Sequence, residues 1–136
     1  MLMPKKTKYR KSHKGSRGGK ATSGLTVSFG SYGMKSLENC WVTANQIEAA
    51  RRVLTRYIKK GGRIFIRIFP AKPVTAKGGE MPMGKGKGGV DHYVCVVKPG
   101  VVMFELEGMT EAEARQAVRF ASDKLPVKSK FVKANE

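Results

Sequence analysis

Two amphipathic helices with clear start signals constrain the fold more than any other feature of this sequence. The first is predicted to begin after Thr43, which forms a capping-box pattern with Gln46, and to end at Gly61 and Gly62. Its apolar stripe, at helical spacing, consists of Ile47, Ala50, Leu54, Tyr57 and Ile58. Because such a stripe has to be buried, the helix must pack on another layer.

The second helix shows the same signals nearer the C-terminus. Thr110 and Glu113 form its capping-box pattern, and Pro126 ends it. Its apolar stripe consists of Ala114, Ala117, Val118, Ala121 and Leu125. The opposite face carries both signs of charge, at Glu111, Glu113, Arg115, Arg119 and Asp123. We predict that this second face is ordinary solvated surface.

Six runs of residues are predicted to be strands. The clearest is 63–69, where three isoleucines alternate with Arg63, Phe65, Arg67 and Phe69. The others are residues 26–30, 37–42, 93–98, 101–107 and 127–132, with a turn at 31–33 and a hairpin turn at Pro99 and Gly100. The resulting order, β-β-α-β-β-β-α-β, predicts an α+β fold in which two helices pack on a mixed, mostly antiparallel sheet. Phe65 and Phe69 are candidates either for stacking on RNA bases or for packing against a helix.

The distribution of charge singles out the N-terminal segment. The 136-residue chain has 27 Lys and Arg against 10 acidic residues, and its net charge of +17 favours a polyanionic partner. Residues 1–24 hold eight of the basic side chains, no acid and almost nothing apolar, so they cannot offset their ordering entropy by burial. We predict a basic arm over 1–24 that is disordered when free and orders on nucleic acid, followed by one globular domain over 25–136. A solvated tail is the alternative interpretation of the arm.

One side of the first helix is also strongly basic. It carries Arg51, Arg52, Arg56, Lys59 and Lys60. Because these like charges exceed what the helix can neutralise with its own ion pairs, we predict that the phosphates of a nucleic acid supply the anions. A merely solvated helix face is the alternative.

A long loop rich in proline, glycine and lysine is predicted over residues 70–92. Its residues 79–85 fit the first seven positions of a phosphate-binding P-loop. However, Gly86 stands where Ser or Thr should reach Mg²⁺, and a strand follows where a helix is needed, so an NTPase is rejected. The side-chain-poor backbone with Lys85 and Lys87 instead suits close approach to RNA, with a flexible surface loop as the alternative.

The sequence offers no catalytic or metal-binding pattern. Cys40, Cys95, His13 and His92 lack the spacing of metal ligands, and no nucleophile-histidine or paired-carboxylate arrangement occurs. We therefore expect no enzyme, no cofactor and no metal, and we expect the cysteines to be buried free thiols in a reducing compartment. No apolar segment resembles a signal peptide or a membrane span, which agrees with a cytoplasmic location.

Four motifs occur in order along the chain. They are Met1-Leu2-x-Pro4-Lys5-x-Thr7-Lys8-Tyr9-Arg10-Lys11-x-His13-Lys14-Gly15, Val27-Ser28-Phe29-Gly30-Ser31-Tyr32-Gly33, Gln46-Ile47-Glu48-Ala49-Ala50-Arg51-Arg52 and Met83-Gly84-Lys85-Gly86-Lys87-Gly88. Together they closely resemble the family of bacterial large-subunit ribosomal protein sixteen, over nearly the whole length of the chain. Phe69-Pro70-x-Lys72-Pro73 and Lys98-Pro99-Gly100 agree with this resemblance.

The resemblance implies a hammerhead-like structural constituent of the large ribosomal subunit. Such a protein binds rRNA near the A-site finger, contacts A-site tRNA and, as a second contact, P-site tRNA, abuts neighbouring ribosomal proteins and supports late subunit assembly. The expected rRNA contacts are Lys5, Lys6, Lys8, Arg10, Lys11, His13, Lys14, Arg17, Arg51, Arg52, Arg56, Lys59 and Lys60. The residues expected to extend toward tRNA and the peptidyl-transferase region are Met83, Gly84, Lys85, Gly86, Lys87 and Gly88. Neither a membrane nor a second copy of the chain is an expected partner, and the ribosome is cytoplasmic or organellar.

The chain departs from the family pattern at two places. Most bacterial relatives carry an arginine just before residues 83–88, hydroxylated in some, whereas this chain has Pro82, so some loop contacts are expected to differ. Cys40 and Trp41 stand where relatives often have a basic residue, so one phosphate contact before the first helix is expected to be missing.

A free-standing basic RNA-binding protein or RNA chaperone is the alternative function. A chaperone would need only the charge and the disordered arm. The arginine-lined helix and the long Gly-Lys loop instead favour one shaped, permanent site on RNA.

Overall fold

The computed structural model describes residues 2–3, 24, 26–58, 61–76 and 89–134. Its helices are α1 (Ala44–Thr55) and α2 (Glu111–Ser122). Its strands are β1 (Tyr32–Ser36), β2 (Cys40–Thr43), β3 (Arg63–Ile66), β4 (Lys72–Ala76), β5 (Gly89–Val97), β6 (Val102–Glu107) and β7 (Ser129–Lys133). They form a four-stranded sheet in the order β3-β6-β1-β7 and a three-stranded sheet in the order β2-β5-β4. The predicted α+β class is confirmed, and every described strand pair is antiparallel.

Both helices begin where their capping residues predict. The Thr43 hydroxyl accepts from the backbone N–H of Gln46 at 3.1 Å, and the Gln46 side chain accepts from the backbone N–H of Thr43 at 2.9 Å. At α2 the Thr110 hydroxyl accepts from the backbone N–H of Glu113 at 3.2 Å. Each cap satisfies donors that the first helical turn leaves without a carbonyl partner.

α1 ends earlier than the sequence predicts. The helix was expected to continue to Gly61, but it stops at Thr55. From there the backbone N–H groups of Tyr57 and Ile58 donate to carbonyls three residues back, at 3.0 and 3.1 Å. This tighter turn closes the helix, and it still keeps Tyr57 packed against the core.

One hydrophobic core lies between the helices and both sheets. α1 contributes Ile47, Ala50, Val53 and Leu54, and α2 contributes Ala114, Ala117, Val118 and Ala121. The four-stranded sheet adds Met34, Phe104 and Leu106, while the three-stranded sheet adds Val42 and Val97. Apart from Tyr57 and Ile58, which are only partly buried, the two predicted apolar stripes are thus buried together, and they join the sheets into one unit.

The predicted hairpin across Pro99 and Gly100 is wrong. Both of its strands exist, as β5 and β6, but they belong to different sheets. Gly100 has φ +97°, and its backbone N–H donates to the carbonyl of Ser36 at 2.8 Å. This turn therefore passes the chain from one sheet to the other, because β2 and β4 pair with β5 while β1 and β3 pair with β6.

The first predicted strand is also wrong, and its neighbours are shifted. Residues 26–30 form no strand, while Tyr32 and Gly33, predicted to lie in a turn, begin β1. The physical reason is that Ser28, Phe29 and Gly30 donate their backbone N–H groups to a side chain instead of a neighbouring strand. The strand predicted over 37–42 starts only at Cys40.

The predicted loop over 70–92 is shorter than expected. β4 occupies its beginning and β5 its end, and the two strands pair with each other. The sequence does not predict this pairing, because Pro73 and the glycines are unfavourable in strands. The strand predicted over 127–132 is confirmed as β7, which lies at an edge of the four-stranded sheet.

Candidate nucleic-acid interface

α1 and its C-terminal cap carry three of the predicted RNA-binding residues, Arg51, Arg52 and Arg56. Glu48 forms ion pairs with Arg51 and, at 3.5 Å, with Arg52, whose side chain is 72% exposed. The hydrogen bond from Arg51 lowers the pKa of Glu48 to about 2. One carboxylate thus pairs with two arginines, and the expectation that the basic side chains exceed what the helix's own ion pairs can neutralise stays a prediction. Within the described residues Arg56 forms no such ion pair, and it is exposed.

A groove of about 420 Å³ runs between α1 and the edge strand β3. Arg51 and Thr55 line one wall, and Arg63 and Phe65 line the other. The fixed fork of Arg63 suits a bidentate contact with phosphate oxygens, whereas two nitrogens of Arg51 already donate to Glu48 and leave it fewer donors for a phosphate. Sequence reasoning assigned Arg63 only to a strand face and missed it as a site residue. The strand alternation that places it beside Phe65 was the available signal.

Phe65 and Phe69 have different surroundings. The Phe65 ring lies 5.8 Å from the Phe29 ring, at an interplanar angle of 32°. Its partner thus comes from residues 26–30, which is not the helix that sequence reasoning considered. Phe69 is exposed on the molecular surface.

A buried carboxylate holds residues 26–30 against the sheet. Glu105 on β6 is fully buried, and its Oε1 accepts backbone N–H bonds from Ser28, Phe29 and Gly30 at 2.9, 2.6 and 2.8 Å. Its Oε2 accepts from the Arg67 guanidinium at 2.8 Å. Four donors converge on one side chain, so this segment is fixed by charge-assisted hydrogen bonds rather than by strand pairing.

Arg67 completes this arrangement. The nitrogen that pairs with Glu105 also donates to the carbonyl of Thr26 at 2.7 Å, and the guanidinium lies 5.3 Å from the centre of the Phe29 ring. Burial by itself raises the pKa of Glu105, but the hydrogen bonds from Gly30, Phe29, Arg67 and Ser28 outweigh it and leave that pKa below its usual value.

Sequence reasoning missed both members of this pair. A lone acid within the apolar run 101–106, and an arginine within the alternating run 63–69, were the available signals. A charge is rarely buried without a partner.

Gly30 explains why the motif over residues 27–33 needs glycine. A Cβ built on Gly30 would lie 2.6 Å from the carbonyl oxygen of Leu106, which is closer than real Cβ atoms approach. The backbone of Gly30 therefore lies directly on β6, where its N–H reaches Glu105. The motif that carries part of the family resemblance is thus a docking element within the domain.

Both ends of the basic arm meet the domain. Leu2 packs against the hydrophobic core, and the carbonyl of Gly24 accepts from the backbone N–H of Val102 at 2.8 Å. The remaining predicted sites lie outside the described residues; they are Lys5, Lys6, Lys8, Arg10, Lys11, His13, Lys14, Arg17, Lys59, Lys60, Met83, Gly84, Lys85, Gly86, Lys87 and Gly88.

The position of Trp41 has a cation nearby. The ammonium group of Lys72 on β4 lies 4.7 Å from the centre of the Trp41 ring on β2. Lys72 therefore places a positive charge beside the position where relatives often have a basic residue. It comes from β4, the other edge strand of the same sheet.

The two cysteines are free thiols, as expected, although each is only half-buried. Burial raises the pKa of Cys95 above its ordinary value, which disfavours the reactive thiolate. Among the described residues no cluster of His, Cys, Asp and Glu has the composition to hold a metal ion. No helix in the described part of the chain is long and apolar enough to cross a membrane.

Comparison with known proteins indicates one family. The sequence model of the ribosomal protein L16p/L10e family matches residues 4–132. The large ribosomal subunit protein uL16 of Gloeobacter violaceus is 52% identical over 136 residues, which cover 100% of this chain and 92% of that protein.

Proposed function

The chain belongs to the ribosomal protein L16p/L10e family, and from that membership we propose that it is a structural, non-catalytic constituent of the large ribosomal subunit. The single observation that carries this proposal is the match to a large-subunit protein along the entire chain. The arginines that line the groove between α1 and β3 supply chemistry suited to rRNA phosphates.

The finer assignment follows the family resemblance. Residues 1–24 anchor the protein on rRNA near the A-site finger, and residues 83–88 extend toward A-site tRNA and, as a second contact, P-site tRNA. α1 and β3 present Arg51, Arg56 and Arg63 to the same rRNA. The protein abuts other large-subunit proteins, supports late assembly of the subunit and resides with it in the cytoplasm. Crosslinks from Lys85 and Lys87 to tRNA would support this orientation, and crosslinks confined to distant rRNA would overturn it.

Salt dependence tests the rRNA contact. With about six to ten phosphate contacts, log affinity for large-subunit rRNA should fall with log salt at a slope of about −5 to −9. R56Q and R63Q should each reduce that slope by about one, because each removes one phosphate contact. R115Q is the matched control, since Arg115 pairs with Glu111 at 3.2 Å on the charge-balanced face of α2. A flat salt response of the unaltered protein would contradict the proposal.

Sedimentation of a native lysate separates a resident ribosomal protein from an RNA chaperone. We expect one copy per large subunit to remain after a high-salt wash, because a built-in protein is held by many contacts at once. Release into the free pool at the same salt concentration would favour the chaperone instead.

A further inference from the structure

An aromatic groove lies where the C-terminal ends of α1 and α2 meet. It measures about 400 Å³, and its apolar wall consists of Val53, Tyr57 and Phe120. The rings of Tyr57 and Phe120 are nearly parallel, with centroids 6.2 Å apart and an interplanar angle of 14°. Phe120 is the outer of the two, and 43% of it is exposed.

This exposed ring is not explained by the fold. The core face of α2 consists of Ala114, Ala117, Val118 and Ala121, and Phe120 lies beside that face. The second helix was predicted to have an ordinary solvated face, yet an exposed phenylalanine contributes nothing to solubility. An exposed aromatic side chain with one ring already stacked beneath it is a rigid platform for a further flat group.

The charges around the groove favour an anionic occupant. Arg56 and Lys124 line it and are exposed, and Asp123 is the acid beside them. Within residues 26–58, 61–76 and 89–134, neither Arg56 nor Lys124 takes part in an ion pair. Two cations thus flank the aromatic platform and can reach groups bound on it.

We propose that this groove binds one unpaired RNA nucleotide, whose base stacks on Phe120 while the adjoining phosphates contact Arg56 and Lys124. Stacking on an aromatic ring beside cations is how proteins hold bases that have left a helix. A protein partner fits less well, because lysine is depleted at protein interfaces, whereas RNA phosphates can pair with both Arg56 and Lys124. The inference rests on the proposed function, since it presupposes that the chain is bound to rRNA.

Affinity of the full-length chain for in vitro transcribed large-subunit rRNA tests the groove. F120A should weaken binding roughly 5- to 150-fold at constant salt, which corresponds to the loss of one stacked base. F120W should retain the affinity, because the indole also stacks. L37A is the matched control, since Leu37 is likewise an exposed large apolar residue, and circular dichroism should show that every variant is folded.

Fluorescence gives a direct readout of stacking. The chain has a single tryptophan, so W41F combined with F120W leaves one indole, at the groove. Its emission should be quenched when rRNA binds, and equally bright emission at saturation would overturn the inference.

The remaining outcomes separate this inference from the proposed function. If F120A binds rRNA as the unaltered chain does, with the same steep salt slope, the groove proposal is wrong and the proposed function stands. If F120A keeps its rRNA affinity but is washed out of native subunits, the groove holds a protein, which also overturns the inference. If the unaltered chain does not bind rRNA at all, the proposed function itself fails.

Discussion

The two faces of the four-stranded sheet are covered through different interactions, apolar packing on one face and hydrogen bonds to a carboxylate on the other. Successive side chains of a strand point to opposite faces, so Phe104 and Leu106 meet the helices while Glu105 points the other way. Phe104 and Leu106 lie in the hydrophobic core. Glu105, equally buried, is surrounded by backbone N–H groups and the Arg67 guanidinium.

The difference shows how one strand can both stabilise the domain and fix the position of a neighbouring segment. Apolar packing is not directional, so the helix face can hold the layers together without fixing the path of a loop. Hydrogen bonds to a carboxylate are directional, and those of Glu105 determine where residues 28–30 lie. The domain end of the basic arm is therefore positioned by the polar face.

The largest expected effect is on the apolar face. F104A should lower the free energy of unfolding by about 3–5 kcal/mol, because it removes a fully buried ring and leaves a cavity. Urea unfolding monitored by circular dichroism measures this loss. The protection of the amides of residues 28–30 from hydrogen exchange should fall only as much as the free energy of unfolding of the whole domain. A larger loss of protection at these amides would mean that the two faces are not independent.

E105Q should break the polar face selectively. The neutral amide weakens the charge-assisted bonds, at a cost of about 1.5–3 kcal/mol. The amides of Ser28, Phe29 and Gly30 should exchange faster with solvent by a larger factor than amides of α1, since they lose the charge that holds them. E48Q is the control, because Glu48 is also a carboxylate that pairs with arginines, but its partners are Arg51 and Arg52 on α1 rather than residues 28–30. A uniform increase in exchange across the domain would contradict the proposed local role.

G30A tests the close approach of that segment to β6. A methyl group at this position meets the carbonyl of Leu106, so the segment must shift and we expect a loss of about 1–3 kcal/mol. G24A offers a comparison, because no atom lies within 4 Å of a Cβ at Gly24, although its φ of +69° adds backbone strain. Thermal unfolding compares the two, and an unchanged Tm for G30A would show that residues 28–30 do not contact the strand in solution.

The smallest expected effect is a pH dependence confined to the polar face. Because the pKa of Glu105 is lower in the folded state, its contribution is complete above the unfolded pKa of about 4.3 and is lost as pH falls through the folded value. The difference in stability between the unaltered chain and E105Q should therefore shrink as the pH is lowered from 7 towards 3. Urea titrations at several pH values measure it, and a constant difference would contradict the assignment.

Local signals predicted the helices well and the sheets poorly. Thr43 and Thr110 cap helices through neighbours three residues away, so a short stretch of sequence contains all the required information. The partner of a strand is chosen over the whole chain, and nothing near Pro99 and Gly100 indicates that β5 and β6 enter different sheets. The apolar stripes were therefore predicted correctly, whereas the hairpin was not.

The candidate site divides in the same way. Arg51, Arg52 and Arg56 could be predicted as RNA contacts because their helical spacing places them on one side of the helix. Arg63 and the pair of Glu105 and Arg67 depend on contacts between strands, and Glu105 lies 38 positions from Arg67 in sequence. Such pairs can be suspected from a charge in an apolar run, but the partner cannot be chosen without the fold.

The position of β1 has a consequence for how the protein is made. β1 comes first among the strands that the structure describes, yet it lies between β6 and β7, and Tyr32 pairs with both Leu106 and Lys133. During synthesis from the N-terminus, at about 5–20 residues per second, β1 waits for partners that lie about 70 and about 100 residues later in the chain. Pairings this distant in sequence are slow to form. The nascent chain thus carries a positively charged segment and an unpaired strand edge together until β7 completes the sheet.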